Sequence, residues 1–452
     1  MRGALFLAAL VGLCWGSREE RPAFTRTEDG KIHALIPDIP GAVNVVLTLK
    51  DDEPEFGGKT VVTSAATQGK ADGYWRTTTA DVTDKDGDVD YVIEYQFPSG
   101  EHQRSGVFFL GTKQDTALAP NSPRYLHRRA TTVFYDDFSS DHVDTHKWRV
   151  EVSADGVGGH KFQMYTPEAR NVYIKNGMLF LRPTLTVDRF GNDFLAHGTL
   201  DARAVWGTCT NNDCVRHGWN EIHPIMSGMV RSNGHIKYGK VEVVAKLPKG
   251  DWLWPAIWLM PVKPFAYGGW PRSGEIDIME AACNEHLTYQ DGSSAGVDVT
   301  HATIHYGPNR EGHKRHGNIY RIPGTTFGND FHTYWMDWTE SHIKLGVDDH
   351  TTVMLNTPSN GFWHEGGFTG TNIWAHGGHN APFDQPFYLI LNVAVGGEFF
   401  WDGYVNHPYP KPWHSDDNNQ MMEFWNARNK WLPTWHGEDV AMRIRSVKMQ
   451  QY

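Results

Sequence analysis

A chain of 452 residues is too long for one compact core of ordinary size, so one small and one large domain are expected. The net charge of −11, with Lys and Arg scattered, gives no electrostatic footprint for nucleic acid or an anionic membrane. Aromatic residues make up 13% of the chain and include 18 Trp, many beside Gly, Asn, Asp and His, which suits a neutral partner with flat apolar faces such as a sugar.

The N-terminus reads Met1-Arg2-Gly3 and then an apolar run from Ala4 to Cys14, with small Gly16 and Ser17 beyond it. This is the pattern of a secretory signal peptide over residues 1–16. The run falls short of the about 20 apolar residues that cross a hydrocarbon core, and no later segment is long and apolar enough. A secreted, extracellular protein without a membrane partner is expected. Loss of Cys14 leaves Cys209, Cys214 and Cys283. The close pair Cys209 and Cys214 reads as a disulfide, and Cys283 as a buried thiol. The pairs His313 with His316 and His376 with His379 lack a helical apolar context and read as solvated loop histidines rather than zinc ligands.

From residue 20 to 111 short alternating stretches such as Val45–Leu49 and Tyr91–Phe97 are broken by the turn signals Asp72-Gly73 and Asp86-Gly87, the pattern of a small β-sandwich. Residues 112–131 lose periodicity and gather Pro120, Pro123, Arg128 and Arg129, which reads as a linker. Residues 132–452 repeat the β pattern on a larger scale, with strands predicted over Lys240–Ala245 and Phe387–Val393 and one short helix around Asn418–Trp431. The absence of βαβ alternation predicts an all-β chain of sheets packed face to face. Gly292-Ser293-Ser294-Ala295-Gly296 fits the G-x-S-x-G pattern of a serine hydrolase, but neither a buried parallel strand before it nor a helix after it is indicated, so a loop is expected.

The segment Ser273-Gly274-Glu275-Ile276-Asp277-Ile278-Met279-Glu280-Ala281 carries the chemistry. In a plain strand Glu275 and Asp277 share a face while Ile276 and Ile278 enter the core, and Glu280 has the wrong parity. Met279 as one extra residue, a β-bulge, would return Glu280 to the acidic face. Three carboxyls on one face repel each other, and the arrangement makes chemical sense when their ionisations are driven apart. Two such acids serve glycoside hydrolysis with retention, one as nucleophile and one as proton donor. An exposed edge strand with a solvated acidic face is the bland rival. Trp252, Trp254, Trp258 and Trp270 upstream, with His305 downstream, weigh against it.

Glu275 to Glu280 resembles the ExDxxE signature of family 16 glycoside hydrolases in its bulged, laminarinase form. The resemblance extends to Tyr135–Phe138, Phe162–Thr166, Tyr238–Glu242, Gly250–Leu259, Ile304–Gly307 and Leu391–Gly397, and so covers all of 132–452. It implies a β-jelly-roll catalytic domain and an endo-β-1,3-glucanase. It also implies Glu275 as nucleophile, Asp277 as assistant and Glu280 as acid/base, with Arg231, Trp254, Trp258, Trp270, His305 and Trp401 as glucose contacts. A monomer acting on β-1,3-glucan is expected, with no cofactor required. A structural calcium would need an Asp in the closing strand, and Arg445 stands at that place. The small domain is similar to the N-terminal module of animal β-glucan recognition proteins, through Ile36–Gly41 and the Gly73-Tyr74-Trp75 to Gly87 to Tyr91 succession. This implies an immunoglobulin-like sandwich that binds glucan, although Trp75, Tyr91, Tyr95 and Phe97 serve equally as its core. The rival from another class is a glucan-binding lectin that cuts nothing.

Overall fold

The structure, a computed structural model, describes residues 130–452 apart from 157, 212, 219 and 220, together with the backbone of the strands between residues 23 and 110. The chain forms two compact units, Met1–Leu126 and His127–Tyr452. In the first, strands make a four-stranded and a five-stranded sheet, among them Asn44–Asp51 and Val89–Gln96. The expected signal peptide, most of the expected linker and the side chains of Trp75, Tyr91 and Tyr95 lie outside the described residues.

The second unit is an all-β sandwich. Its functional face belongs to a seven-stranded sheet made of β1 (Trp148–Val150), β2 (Met229–Ile236), β3 (Leu253–Pro261), β4 (Glu275–Glu280), β5 (Val299–Tyr306), β6 (Lys314–Arg321) and β7 (Phe387–Val395). The order across the sheet is β1-β2-β7-β3-β4-β5-β6, antiparallel throughout. The eight-stranded partner sheet includes Gly239–Lys246, His332–Trp338 and Met442–Gln451.

Alternation sets both faces. Along β3, Leu253, Ile257 and Leu259 are fully buried while Trp254, Trp258 and Met260 are half-buried on the opposite face. Along β7, Leu389, Leu391, Val393 and Val395 enter the core. The two sheets share one apolar core, in which Trp338 of the partner sheet meets Phe387 of β7 edge to face at 5.5 Å.

Three local features depart from or complete the sequence reading. The expected helix is two, Gln420–Asn426 and Arg428–Trp431, interrupted at Ala427. Gly292–Gly296 is a turn whose Ser294 bridges Thr288, and a strand rather than a helix follows it at Val299. Cys209 and Cys214 form a disulfide with Cα atoms 5.9 Å apart, and Cys283 is a free, buried thiol. No helix among the described residues is long and apolar enough to cross a membrane.

Candidate active site

The site begins with a glycine. Gly274 has φ +80°, a left-handed conformation, and a Cβ there would meet Phe383 at 2.9 Å, so only glycine can bring the chain into β4 along this path. From that turn Glu275 and Asp277 face away from the core, whereas Ile276 is fully buried in it.

A bulge then resets the parity. Against β3, Met279 pairs with Ile257 and Asp277 with Trp258, leaving Ile278 between them without a partner. Against β5, Asp277 pairs with Thr303 and Glu280 with His301, so Ile278 and Met279 together oppose Ala302. The extra residue is therefore Ile278, not the Met279 expected from sequence, because Met279 keeps its cross-strand partner. Both side chains are buried, and the bulge puts two consecutive apolar residues into the core before Glu280 emerges on the face of Glu275 and Asp277.

Three carboxyls now share one half-buried surface, and their mutual fields govern their ionisation. Burial pushes Glu275 up to about 8, helped by the charge of Asp277 and a hydrogen bond with it. Burial, then the charge of Glu280, holds Asp277 well above the usual carboxylate range. Burial also raises Glu280. Carboxyls so close cannot all ionise, and the group retains protons at neutral pH.

Neighbours hold each acid in place. Trp254 Nε1 donates to Glu280 Oε1 at 2.9 Å. His305 Nε2 lies 2.8 Å from Asp277 Oδ2, and His305 Nδ1 lies 2.8 Å from His313 Nε2. Trp258 Nε1 donates to Asn392 Oδ1 at 2.7 Å, and Asn392 Nδ2 donates to the hydroxyl of buried Tyr165 at 3.1 Å. Glu275, Asp277 and His305 bring possible metal-binding atoms within 4.8 Å of one another, and the Asp277 Oδ2 that faces His305 is buried without a hydrogen-bond partner.

Lys161 faces the acids from a loop clamped to the end of β7. Phe162 N donates to Val395 O at 2.8 Å and Glu398 N to Gly159 O at 3.0 Å, while Gly396, φ +64°, packs so close to Phe162 that a Cβ would lie 2.1 Å from its ring. The Lys161 ammonium lies 4.6 Å from the Trp254 ring centre and 6.0 Å from that of Trp258. Burial lowers its affinity for a proton, and the charges of Glu280, Glu275 and Asp277 oppose that effect.

The nominated sugar contacts divide. Trp270 is 37% exposed, with its ring 4.7 Å from His313 and 6.3 Å from His305. Trp401 is 57% exposed, and its ring meets Tyr404 at 6.2 Å. Trp254 is stacked on Phe399 at 4.8 Å as well as bonded to Glu280, so it is a wall of the acid site more than an open platform. Arg231 is paired with buried Glu151 at 2.8 Å and reaches the Tyr388 hydroxyl at 3.4 Å. His313, expected to be a solvated loop residue, is instead bonded to His305, because the turn 307–312 folds it back over β5. Lys161, Phe399, His313 and Asn392 escaped sequence reasoning. Arg445, at the place where a calcium-binding Asp was sought, lays its guanidinium 4.0 Å over Phe331.

A family model described as glycosyl hydrolases family 16 matches residues 200–373. A β-1,3-glucan-binding protein of Penaeus monodon is 40% identical over 70% of this chain and 89% of its own length. A glucan endo-1,3-β-glucosidase A1 of Niallia circulans is 32% identical over 64% of this chain and 36% of its own length. Among solved structures, the catalytic domain of a laminarinase from Thermotoga petrophila superposes with a TM-score of 0.45 and 22% identity, covering 71% of this chain and 98% of that one.

Proposed function

The chain belongs to glycosyl hydrolase family 16, and on that premise we propose that it is a secreted endo-β-1,3-glucanase acting with retention, with Glu275 as nucleophile and Glu280 as general acid and base. One observation carries the reading. The bulge at Ile278 returns Glu280 to the face of Glu275 and Asp277, where the three carboxyls perturb one another. An acidic face serving only solubility needs neither burial nor shared protons.

The chemistry follows from the protonation states. Glu280, whose affinity for a proton is raised by burial, gives its proton to the glycosidic oxygen as the C1–O bond breaks, while a Glu275 oxygen bonds to C1 from the other side of the ring. Glu280, now ionised, takes a proton from water, whose oxygen attacks C1 and releases Glu275. Before the first step Glu275 must lose its own proton, and Asp277 is the group placed to take it through their hydrogen bond. The polymer itself is argued from the relatives, whose names specify β-1,3-glucan, and from an acidic chain that suits a neutral polysaccharide. Trp270 and Trp401, the exposed rings, are assigned to glucose units toward either end of the cleft, with His305, Trp258 and Arg231 nearer the cut. The apolar N-terminal run is read as a signal for export.

A second reading, glucan binding without cleavage, has the 40% identity to a protein named for binding in its favour. Release of reducing ends from laminarin separates the two. The wild type is expected to release them and Glu275→Gln is not, and a wild type that binds laminarin without cutting it would leave the binding reading standing. Proton NMR of the first product is expected to show the β anomer, and the α anomer would refute retention.

A further inference from the structure

The groove continues past the acids in three aligned rows. Pairing across β4, β5 and β6 places Glu275 beside His305 and Arg315, and Glu280 beside His301 and Ile319. Between these rows Asp277 stands beside Thr303 and Gly317. Residues paired across antiparallel strands project to one face, and their chain neighbours fix which face it is. On β5, Ala302 and Ile304 are buried in the core. On β6, Tyr320 stacks at 3.9 Å on His350 of the partner sheet, and His316 Nε2 lies 3.2 Å from Met354 O of the same strand. His301, Thr303 and His305, with Arg315, Gly317 and Ile319, therefore face the groove.

The middle row loses height with distance from the acids, from a carboxyl to a threonine to no side chain at all. Thr303 leans into the space at Gly317, where a Cβ would lie 3.0 Å from its Oγ1 and 3.2 Å from its Cγ2. The outer rows keep large side chains. His305 is backed by His313, their ring centres 4.9 Å apart, and the His301 ring meets Phe399 edge to face at 5.3 Å. Ile319 is 37% exposed. The result is a trough that runs from Asp277 across β5 to β6, the last strand of the sheet. Its walls, at His301 and His305, stand about 13 Å apart along β5, and its floor crosses two strand spacings, about 10 Å. Those dimensions admit sugar units in a row. The lining suits them, with Ile319 and the imidazoles for C–H faces and the Thr303 hydroxyl and Arg315 guanidinium for hydroxyls.

We propose that this trough binds the glucan chain where it leaves the acids toward β6, and that Gly317 is a specificity-determining residue that keeps it open. The choice of ligand and the effect on turnover rest on the hydrolase reading above, whereas occupancy of the trough can be read without turnover. An end open at β6 lets a chain run on past the acids, as cutting within a polymer requires.

The test is hydrogen–deuterium exchange of the full-length protein with and without laminarihexaose, beside turnover of the same oligosaccharide. Glu275→Gln in the exchange samples prevents cleavage. The sugar is expected to slow exchange over Lys314–Arg321, and Gly317→Leu added to those samples is expected to abolish the slowing. With Glu275 intact, Gly317→Ala is expected to lower kcat/KM about twofold and Gly317→Leu about tenfold, both through KM, since the loss follows the volume that enters the trough. Thr303→Leu fills the trough from β5 with Gly317 unchanged and is expected to match Gly317→Leu, which separates filling from a strand disturbed at the glycine. Unslowed exchange over Lys314–Arg321 in the presence of sugar would overturn the proposal. So would a wild-type KM in Gly317→Leu and Thr303→Leu. A wild type that cuts no laminarihexaose would remove the hydrolase reading alone, since the exchange over β6 still decides whether the trough is occupied.

Discussion

The indole N–H of Trp254 on β3 donates to the carboxyl of Glu280 on β4 at 2.9 Å, which couples a cleft wall to the ionisation of that acid. The bond favours ionised Glu280, so Trp254→Phe raises the carboxyl's affinity for its proton. The alkaline limb of kcat/KM against pH, measured on laminarin, is expected to move up by about half to one unit. An unmoved limb would uncouple this tryptophan from the proton donor.

Glu275→Gln is expected to lower kcat by about a thousandfold or more while laminarin affinity stays within about threefold, since the lost interaction belongs to the transition state. The same substitution tests the electrostatics without turnover. An acid raised to about 8 in the folded protein, from 4.5 in the unfolded chain, contributes stability below pH 4.5 that is lost as pH rises toward 8. The neutral amide escapes that loss. Thermal melts are expected to favour Glu275→Gln over wild type by about 5 °C more at pH 8 than at pH 4.5, and equal differences would contradict the raised carboxyl.

Lys161 stabilises the ionised forms of Glu275, Asp277 and Glu280 through its field. Lys161→Met removes that charge at similar length, so both limbs of the pH profile are expected to shift upward by about half a unit, with Lys161→Arg close to wild type. A profile that stays in place while KM rises would make Lys161 a sugar ligand instead.

The Cys209–Cys214 bridge closes a short loop remote in sequence from the acids. Replacing both by Ser is expected to cost about 2 kcal/mol in the chain-entropy picture, read by urea denaturation. Laminarin turnover below the transition is expected to be unchanged, and a fall in kcat would tie this loop to the cleft.

Alternation and parity made the core strands and the acidic face legible before any coordinates. Leu253, Ile257, Leu259, Ile276 and Leu391 are where a period of two puts them. The mismatch of Glu280 with that period demanded a bulge. Which residue is extra could not be read, since Ile278 and Met279 are both apolar and the choice is made by pairing with Ile257 on a strand some twenty residues upstream. Lys161 and His313 were hidden for a related reason. Each lies on a connection whose path is fixed by partners distant in sequence, Val395 for one and the β5–β6 hairpin for the other. Neither sits in a local pattern that marks it. Trp254, nominated as a sugar contact, has its ring at the acids, stacked on Phe399 and bonded to Glu280, contacts made by residues distant in sequence.

The unpaired Ile278 gives β4 something like a reading frame. Loss of that one codon would leave Glu275-Ile276-Asp277-Met279-Glu280, a strand that alternates smoothly with Met279 still in the interior and Glu280 still toward the groove. Only a strand drawn straight with Ile278 kept in register would carry Glu280 into the apolar interior and Met279 into the groove. A shift of pairing against Ile257, not the loss of a codon, is therefore what would separate grasping a polymer from cutting it with all three acids still present.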